Sequence, residues 1–188
     1  MQKTDNRKNR INDFGFSLIE LIVVIAIMGV MTGGIALGVG MAFSKDAERC
    51  ATAINDAISR TRMDSMSRPD VYILKIETRT EGSKDINVCE ITLDDGTIID
   101  TINLDGDGNS KKTNIDVKFK SSASSLTLPV TLQFDKQKGN IKKVTANGAD
   151  CTSEDILCFN VSAIRGNSSR NKSVQLITTT GKHSIGPF

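Results

Sequence analysis

Apolar positions along this chain follow two different periods. From Phe16 to Phe43 almost every residue is apolar, and a run of about 20 such residues is long enough to cross a bilayer core as a helix. Past Phe43 the pattern narrows to one face. Ala47, Cys50, Ala51, Ile54, Ile58 and Thr61 recur at helical spacing. Asp46, Glu48, Arg49, Asn55, Asp56, Arg60 and Arg62 fall mainly on the remaining surface. Together these stretches predict one helix from Phe16 to about Met66, roughly 50 residues and about 75 Å long. Its first half is apolar all round and its second half amphipathic. Pro69 limits the extension, because a residue before proline avoids helical geometry.

After Pro69 the period changes to that of strands. Val71–Glu77 is rich in β-formers, and Ile86–Leu93 and Thr97–Leu104 flank Asp94-Asp95-Gly96, a hairpin turn signal. Further strands are expected at Ile115–Lys120, Val130–Asp135, Ile141–Val144, Leu157–Ala163 and Val174–Thr179, with turns at Lys138-Gly139-Asn140 and Thr180-Gly181-Lys182. Short strands after one long helix predict an α+β fold, the helix packed on an antiparallel β-rich head. No internal repeat is visible.

Glu20 is the only ionisable residue in the apolar run. A carboxylate there costs roughly 2.5–3.5 kcal/mol on insertion scales, and its default reading is functional. A partner is available. A cut between Gly15 and Phe16 exposes a cationic amine on Phe16, four residues before Glu20. Residues 1–15 carry Lys3, Arg7, Lys8 and Arg10 against Asp5 and Asp13, so +4 − 2 = +2, the whole formal net charge of the chain. Positive charge before a membrane segment keeps that end cytoplasmic. A secretory signal fits less well, since its apolar region is about 7–15 residues long and precedes the cut.

The stretch Gly15-Phe16-Ser17-Leu18-Ile19-Glu20-Leu21-Ile22-Val23-Val24-Ile25-Ala26-Ile27 resembles the class III signal of the type IV pilin family. The resemblance implies that residues 1–15 are a leader removed by prepilin peptidase at Gly15/Phe16, and that Phe16 is then N-methylated. It implies that residues 16–43 lie in the membrane or filament core, 44–66 form the amphipathic half of the helix, and 67–188 form the extracytoplasmic head. The implied function is that of a structural subunit of a type IV pilus or type II secretion pseudopilus. Glu20 of one subunit would pair with the Phe16 amine of its neighbour. The implied partners are other pilin or pseudopilin subunits, the peptidase, an inner-membrane assembly platform, and lipid before assembly. The implied location is the bacterial cytoplasmic membrane, single-pass with the head outside, and then a cell-surface filament.

More loosely, three stretches are similar to H-type minor pseudopilins of type II secretion and T-type fimbrial minor pilins. These are Ala53–Tyr72, Thr131–Gly139 and Val174–Ile185. Many pilins carry a helix-loosening proline in the apolar half. Here Gly29, Gly33, Gly34, Gly38 and Gly40 occupy it, either for close packing or to supply the same softness.

Composition adds limits. Removing the leader and the apolar run leaves roughly 145 residues, one domain's worth. With no Trp, one Tyr and seven Phe, several of them in the N-terminal part, the head core is expected to come mostly from Ile, Leu and Val. The near-neutral remainder gives no electrostatic case for bulk nucleic-acid binding. Of the four cysteines, Cys151 and Cys158 enclose a short polar loop and are the easiest pair to close, leaving Cys50 with Cys89. Free buried thiols are the alternative. Zinc is disfavoured, because no short Cys pairs occur and His183 is the only histidine.

Two polar tracts carry further expectations. Asp105, Asp107, Asn109, Thr113 and Asp116 have the spacing of a calcium loop, with Ser110 where that loop needs Gly and Asp116 where it needs Glu. A long exposed turn would use the same residues. Arg165, Arg170, Lys172, Lys182 and His183 make the last quarter basic, and either contact DNA phosphates or form a solvated loop. The Asn-x-Ser sequences at Asn160, Asn167 and Asn171 are read as chance. No catalytic arrangement and no resident cofactor emerge, so the chain is expected not to be an enzyme. The alternative to a filament subunit is a membrane-anchored module that binds DNA or a calcium-dependent ligand and never polymerises.

Overall fold

A computed structural model of the 188-residue chain describes residues 17–106, 110–164 and 171–187, and only the backbone of residues 33–44. The fold is α+β. One helix, α1 (Leu18–Ser67), is followed by strands β1 (Tyr72–Glu81), β2 (Lys84–Leu93), β3 (Ile98–Asn103), β4 (Thr113–Phe119), β5 (Ser125–Leu126), β6 (Val130–Phe134), β7 (Ile141–Ala146), β8 (Ala149–Asp150), β9 (Ile156–Ala163), β10 (Lys172–Ile177) and β11 (His183–Pro187). The chain divides into two compact units, Met1–Val39 and Gly40–Phe188.

In the first unit, α1 begins at Leu18 and stays helical through Gly29, Gly33, Gly34 and Gly38. Every described side chain from Ser17 to Thr32 is exposed, from Leu18 at 77% to Val24 at 42%. This part of α1 is apolar on all sides, the pattern of a helix that is covered by other helices or by lipid.

In the second unit α1 ends at Ser67, two residues before Pro69. The Arg68 amide closes the last turn on the Asp64 carbonyl at 3.0 Å. The face predicted from spacing is buried: Ala47, Cys50, Ala51, Ile54 and Ile58 join the core, with Ala57 beside them. Two antiparallel sheets enclose this face. Their orders are β3-β2-β1-β6-β7-β8 and β11-β10-β9-β4-β5. Strand alternation sends Leu74, Ile76, Cys89, Ile91, Leu132, Phe134 and Val144 inward from the first sheet, and Val117, Leu157, Phe159, Val161, Val174 and Leu176 from the second. Burying each large aliphatic contributes about 1.5–3 kcal/mol.

All eight strands expected from the pattern are present, with shifted ends. β5, β8 and the turn Gly82-Ser83 were not expected. Glu81 pairs with Lys84 across that turn, and Gly82 adopts φ 64°, a value glycine reaches without steric cost. β4 begins at Thr113 rather than Ile115, because the Asp105 carboxylate anchors the start of the strand.

The face of the first sheet away from the core carries a charged cluster. Lys75 lies 2.5 Å from Glu77 and 3.8 Å from Glu90, while Arg79 lies 2.7 Å from Glu77 and also pairs with Glu90. Burial alone pushes the Glu77 carboxyl up. Hydrogen bonds from Lys75 and Arg79, together with their charges, outweigh it and hold Glu77 below the usual carboxylate range.

Candidate functional site

Gly15 and Phe16 lie outside the described residues. The first described turn of α1 begins immediately after them. Ser17 takes the N-cap position: its Oγ accepts the Ile19 amide at 3.3 Å, and its carbonyl accepts the Leu21 amide at 3.2 Å. In return, Glu20 Oε2 accepts the Ser17 amide at 2.9 Å. This reciprocal arrangement resembles a capping box, with the hydroxyl on the second helical amide, that of Ile19, in place of the third. It satisfies two of the amides that a helix start leaves without intrahelical partners. Glu20 is exposed beside a shallow apolar groove lined by Ile19, Val23 and Val24. Among the described residues no helix is long and apolar enough to cross a membrane. Side chains of this segment are described from Leu18 to Thr32 only, fifteen residues, against the roughly 20 that a span requires.

The cysteines are all free, so neither expected disulfide is formed. Strand alternation keeps Cys151 and Cys158 apart. Leu157 and Phe159 face the core and place Cys158 on the opposite face of β9, whereas Cys151, just past β8 of the other sheet, packs against the core. Cys50 and Cys89 share the core as thiols. Burial pushes each up to about 12, and in Cys89 the neighbouring Cys50 adds to the effect. The Thr113 hydroxyl lies 3.5 Å from Cys50 Sγ.

Of the calcium-loop residues, Asp107 and Asn109 lie outside the described residues. Asp105 is buried with both oxygens engaged by the protein. Oδ2 accepts the Asn87 amide at 2.8 Å. Oδ1 accepts the Lys112 amide, the Thr113 amide and the Thr113 hydroxyl at 2.9, 3.0 and 2.9 Å. Asp116 follows Ile115 and precedes Val117 on β4, so alternation turns it to the face opposite Thr113. Asp105 and Asp116 therefore do not converge. Among the described residues no group of three or more His, Cys, Asp or Glu side chains is placed to hold a metal ion.

Of the basic tract, Arg165 and Arg170 lie outside the described residues. Lys172 opens β10 opposite Pro187, whereas Lys182 sits in the turn at the other end of the hairpin, next to the Leu176–His183 pair. The two are not brought together. His183 instead joins α1 to β11: its Nε2 lies 2.7 Å from Ser59 Oγ and its Nδ1 3.2 Å from the Gly181 carbonyl.

Residue spacing gave no sign of a junction at Arg62. Arg62 Nε donates to the Gly139 carbonyl at 2.8 Å and Nη2 to the Thr180 carbonyl at 3.2 Å. It thus ties α1 to the β6–β7 turn of one sheet and the β10–β11 turn of the other. The Ile141 amide donates to the Thr178 carbonyl at 2.9 Å beside it. The Ser17 cap was not singled out from the sequence either, although Ser-x-x-Glu before an apolar run is the signal that marks it.

Residues 10–36 match the family model described as the prokaryotic N-terminal methylation motif. The match covers the Gly15/Phe16 junction, the Ser17–Glu20 cap and the described apolar part of α1. It supports a type IV pilin-like or pseudopilin protein, a structural rather than enzymatic kind, made as a membrane-anchored precursor, processed by prepilin peptidase and assembled with other subunits into surface filaments. No curated protein and no solved structure matches the chain.

Proposed function

We propose that this chain is a minor pilin or pseudopilin, inserted through residues 16–43 with its leader inside and its β-rich head outside. Prepilin peptidase cuts between Gly15 and Phe16 and methylates the Phe16 amine. Glu20 of one subunit then neutralises the Phe16 amine of the next and sets the axial register. The observation that carries this reading is a methylation motif that runs into the apolar part of α1, which is apolar on every side and holds Glu20 as its one carboxylate. A segment exposed on every side needs an apolar surrounding, which lipid supplies before assembly and neighbouring helices after it. A charge among apolar groups needs a counter-charge.

The test is the mass and N-terminal sequence of the protein in sheared surface filaments and in membranes, for the wild type and for Glu20→Ala. The wild type should carry a methylated Phe16 terminus in the filament fraction. Glu20→Ala should be cleaved like the wild type but largely missing from filaments. Normal incorporation of Glu20→Ala would sink the charge-pair mechanism, and an intact Met1 terminus in a peptidase-positive strain would sink the processing step.

A further inference from the structure

We propose that the groove between the C-terminal end of α1 and β11 binds a soft monovalent metal ion, Cu(I), through Met63, Met66 and His183. Beyond Phe43 the sequence holds two methionines and one histidine. The fold brings all three to this groove, together with Ser59 and Arg62. Met63 and Met66 stand three residues apart on α1, so one face of the helix carries both. They are 68% and 48% exposed, which leaves both thioethers open to an ion from solvent. The unbranched methionine side chain is flexible enough for two sulfurs to close on one point.

The histidine is oriented as a ligand. A carbonyl oxygen only accepts, so the 3.2 Å contact of Nδ1 with the Gly181 carbonyl puts the proton of the neutral ring on Nδ1. The free lone pair is then on Nε2, the atom turned toward α1. A backbone carbonyl on the other ring nitrogen is the usual support of a metal-binding histidine. Nε2 lies 2.7 Å from Ser59 Oγ, but that hydroxyl has a second acceptor in the Asn55 carbonyl at 3.0 Å. A hydroxyl has one proton to give. Turned to Asn55, Ser59 releases Nε2 without being left unsatisfied.

Ligand type and charge together select the ion. Thioethers are soft donors that favour Cu(I), and imidazole suits copper as well. Among the described residues no carboxylate lines the groove, whereas hard divalent ions call for oxygen ligands. Arg62 lines it with a guanidinium held on the Gly139 and Thr180 carbonyls. Repulsion from that fixed charge grows with the charge of the ion, which counts against Zn2+ and Cu2+.

The test is Cu(I) alone, titrated without oxygen into the full chain against a chromogenic Cu(I) chelator. The background is Cys151→Ser/Cys158→Ala, which leaves only the core thiols Cys50 and Cys89. This protein should bind Cu(I) and keep it in excess Zn2+. Met63→Leu/Met66→Leu nearly conserves side-chain volume, so its unfolding midpoint without metal should match the background. Its Cu(I) binding should weaken by more than the roughly 10–100-fold that loss of a mere supporting group costs. His183→Gln should weaken binding likewise; if it also loosens the α1–β11 contact, the methionine variant decides alone. Unchanged binding by Met63→Leu/Met66→Leu would overturn the site and place the ion on other sulfurs. No Cu(I) uptake by the background, or displacement of Cu(I) by Zn2+, would overturn it as well.

Discussion

Gly181 and Gly139 approach so closely that a Cβ on Gly181 would lie 1.9 Å from the Gly139 carbonyl oxygen. That oxygen already accepts from Arg62, so the contact belongs to the junction of α1 with both sheets. Gly181 also adopts φ 67°. Gly181→Ala meets both obstacles: a strained backbone costing about 1–3 kcal/mol and a clash with main chain that has no rotamer to yield. Gly82→Ala is the control, with a similar φ of 64° and nothing within 4 Å of its Cβ. In urea unfolding of the full chain, Gly181→Ala should lose clearly more stability than Gly82→Ala. Equal losses would show that close approach contributes nothing beyond backbone strain.

Arg62 holds that junction with two nitrogens on two carbonyls. A lysine ammonium is a point charge and cannot reproduce the planar fork. Each bond from a charged donor is worth about 1.5–3 kcal/mol when shielded, and less here because Arg62 is only half-buried. Arg62→Ala is expected to cost about 1–2 kcal/mol, with Arg62→Lys recovering under half. Full recovery in the same unfolding measurement would mean that charge rather than fork geometry secures the turns.

Glu90 is the buried member of its cluster: 4% of its side chain is exposed, against 37% of Arg79 and 32% of Lys75. Removing one partner of a fully buried pair costs about 3–5 kcal/mol. Arg79 and Lys75 can each recover water and keep Glu77, so Glu90→Ala is expected to cost about 1–3 kcal/mol. Glu90→Gln, which retains an acceptor for Arg79, should cost less. A neutral result for Glu90→Ala would mean that the cluster is solvated despite its burial.

Cys50 and Cys89 make stability sensitive to alkaline pH. Both folded values are raised from 9.0 to about 12, so the unfolded chain ionises first. Their contribution is complete below pH 9 and is lost as pH climbs from 9 toward 12, at about 1 kcal/mol per thiol one unit above 9. Unfolding midpoints should fall over that window, and Cys50→Ala or Cys89→Ala should flatten the fall. In the native chain a thiol reagent should label the partly exposed Cys151 quickly and reach Cys50 and Cys89 only on unfolding. Rapid native labelling of Cys89 would contradict its buried position.

Local periodicity carried most of the fold. The helical face from Ala47 to Ile58, the stop before Pro69, the Asp94–Gly96 turn and the alternating strands were readable because each depends on residues close together in the chain. The methylation motif was readable for the same reason, since its features sit at fixed spacing around Gly15, Phe16 and Glu20. Distant pairings were not readable. That β1 lies between β2 and β6, that Asp105 anchors Thr113 across an intervening loop, and that Cys151 and Cys158 sit on different faces of different sheets were all decided by long-range strand order. Arg62 illustrates the limit. Its sequence neighbourhood marks it as one more charge on an amphipathic helix. Only the packing of two sheets around that helix brings the Gly139 and Thr180 carbonyls within reach of its guanidinium, because such contacts are fixed by burial of the whole core and not by any local spacing.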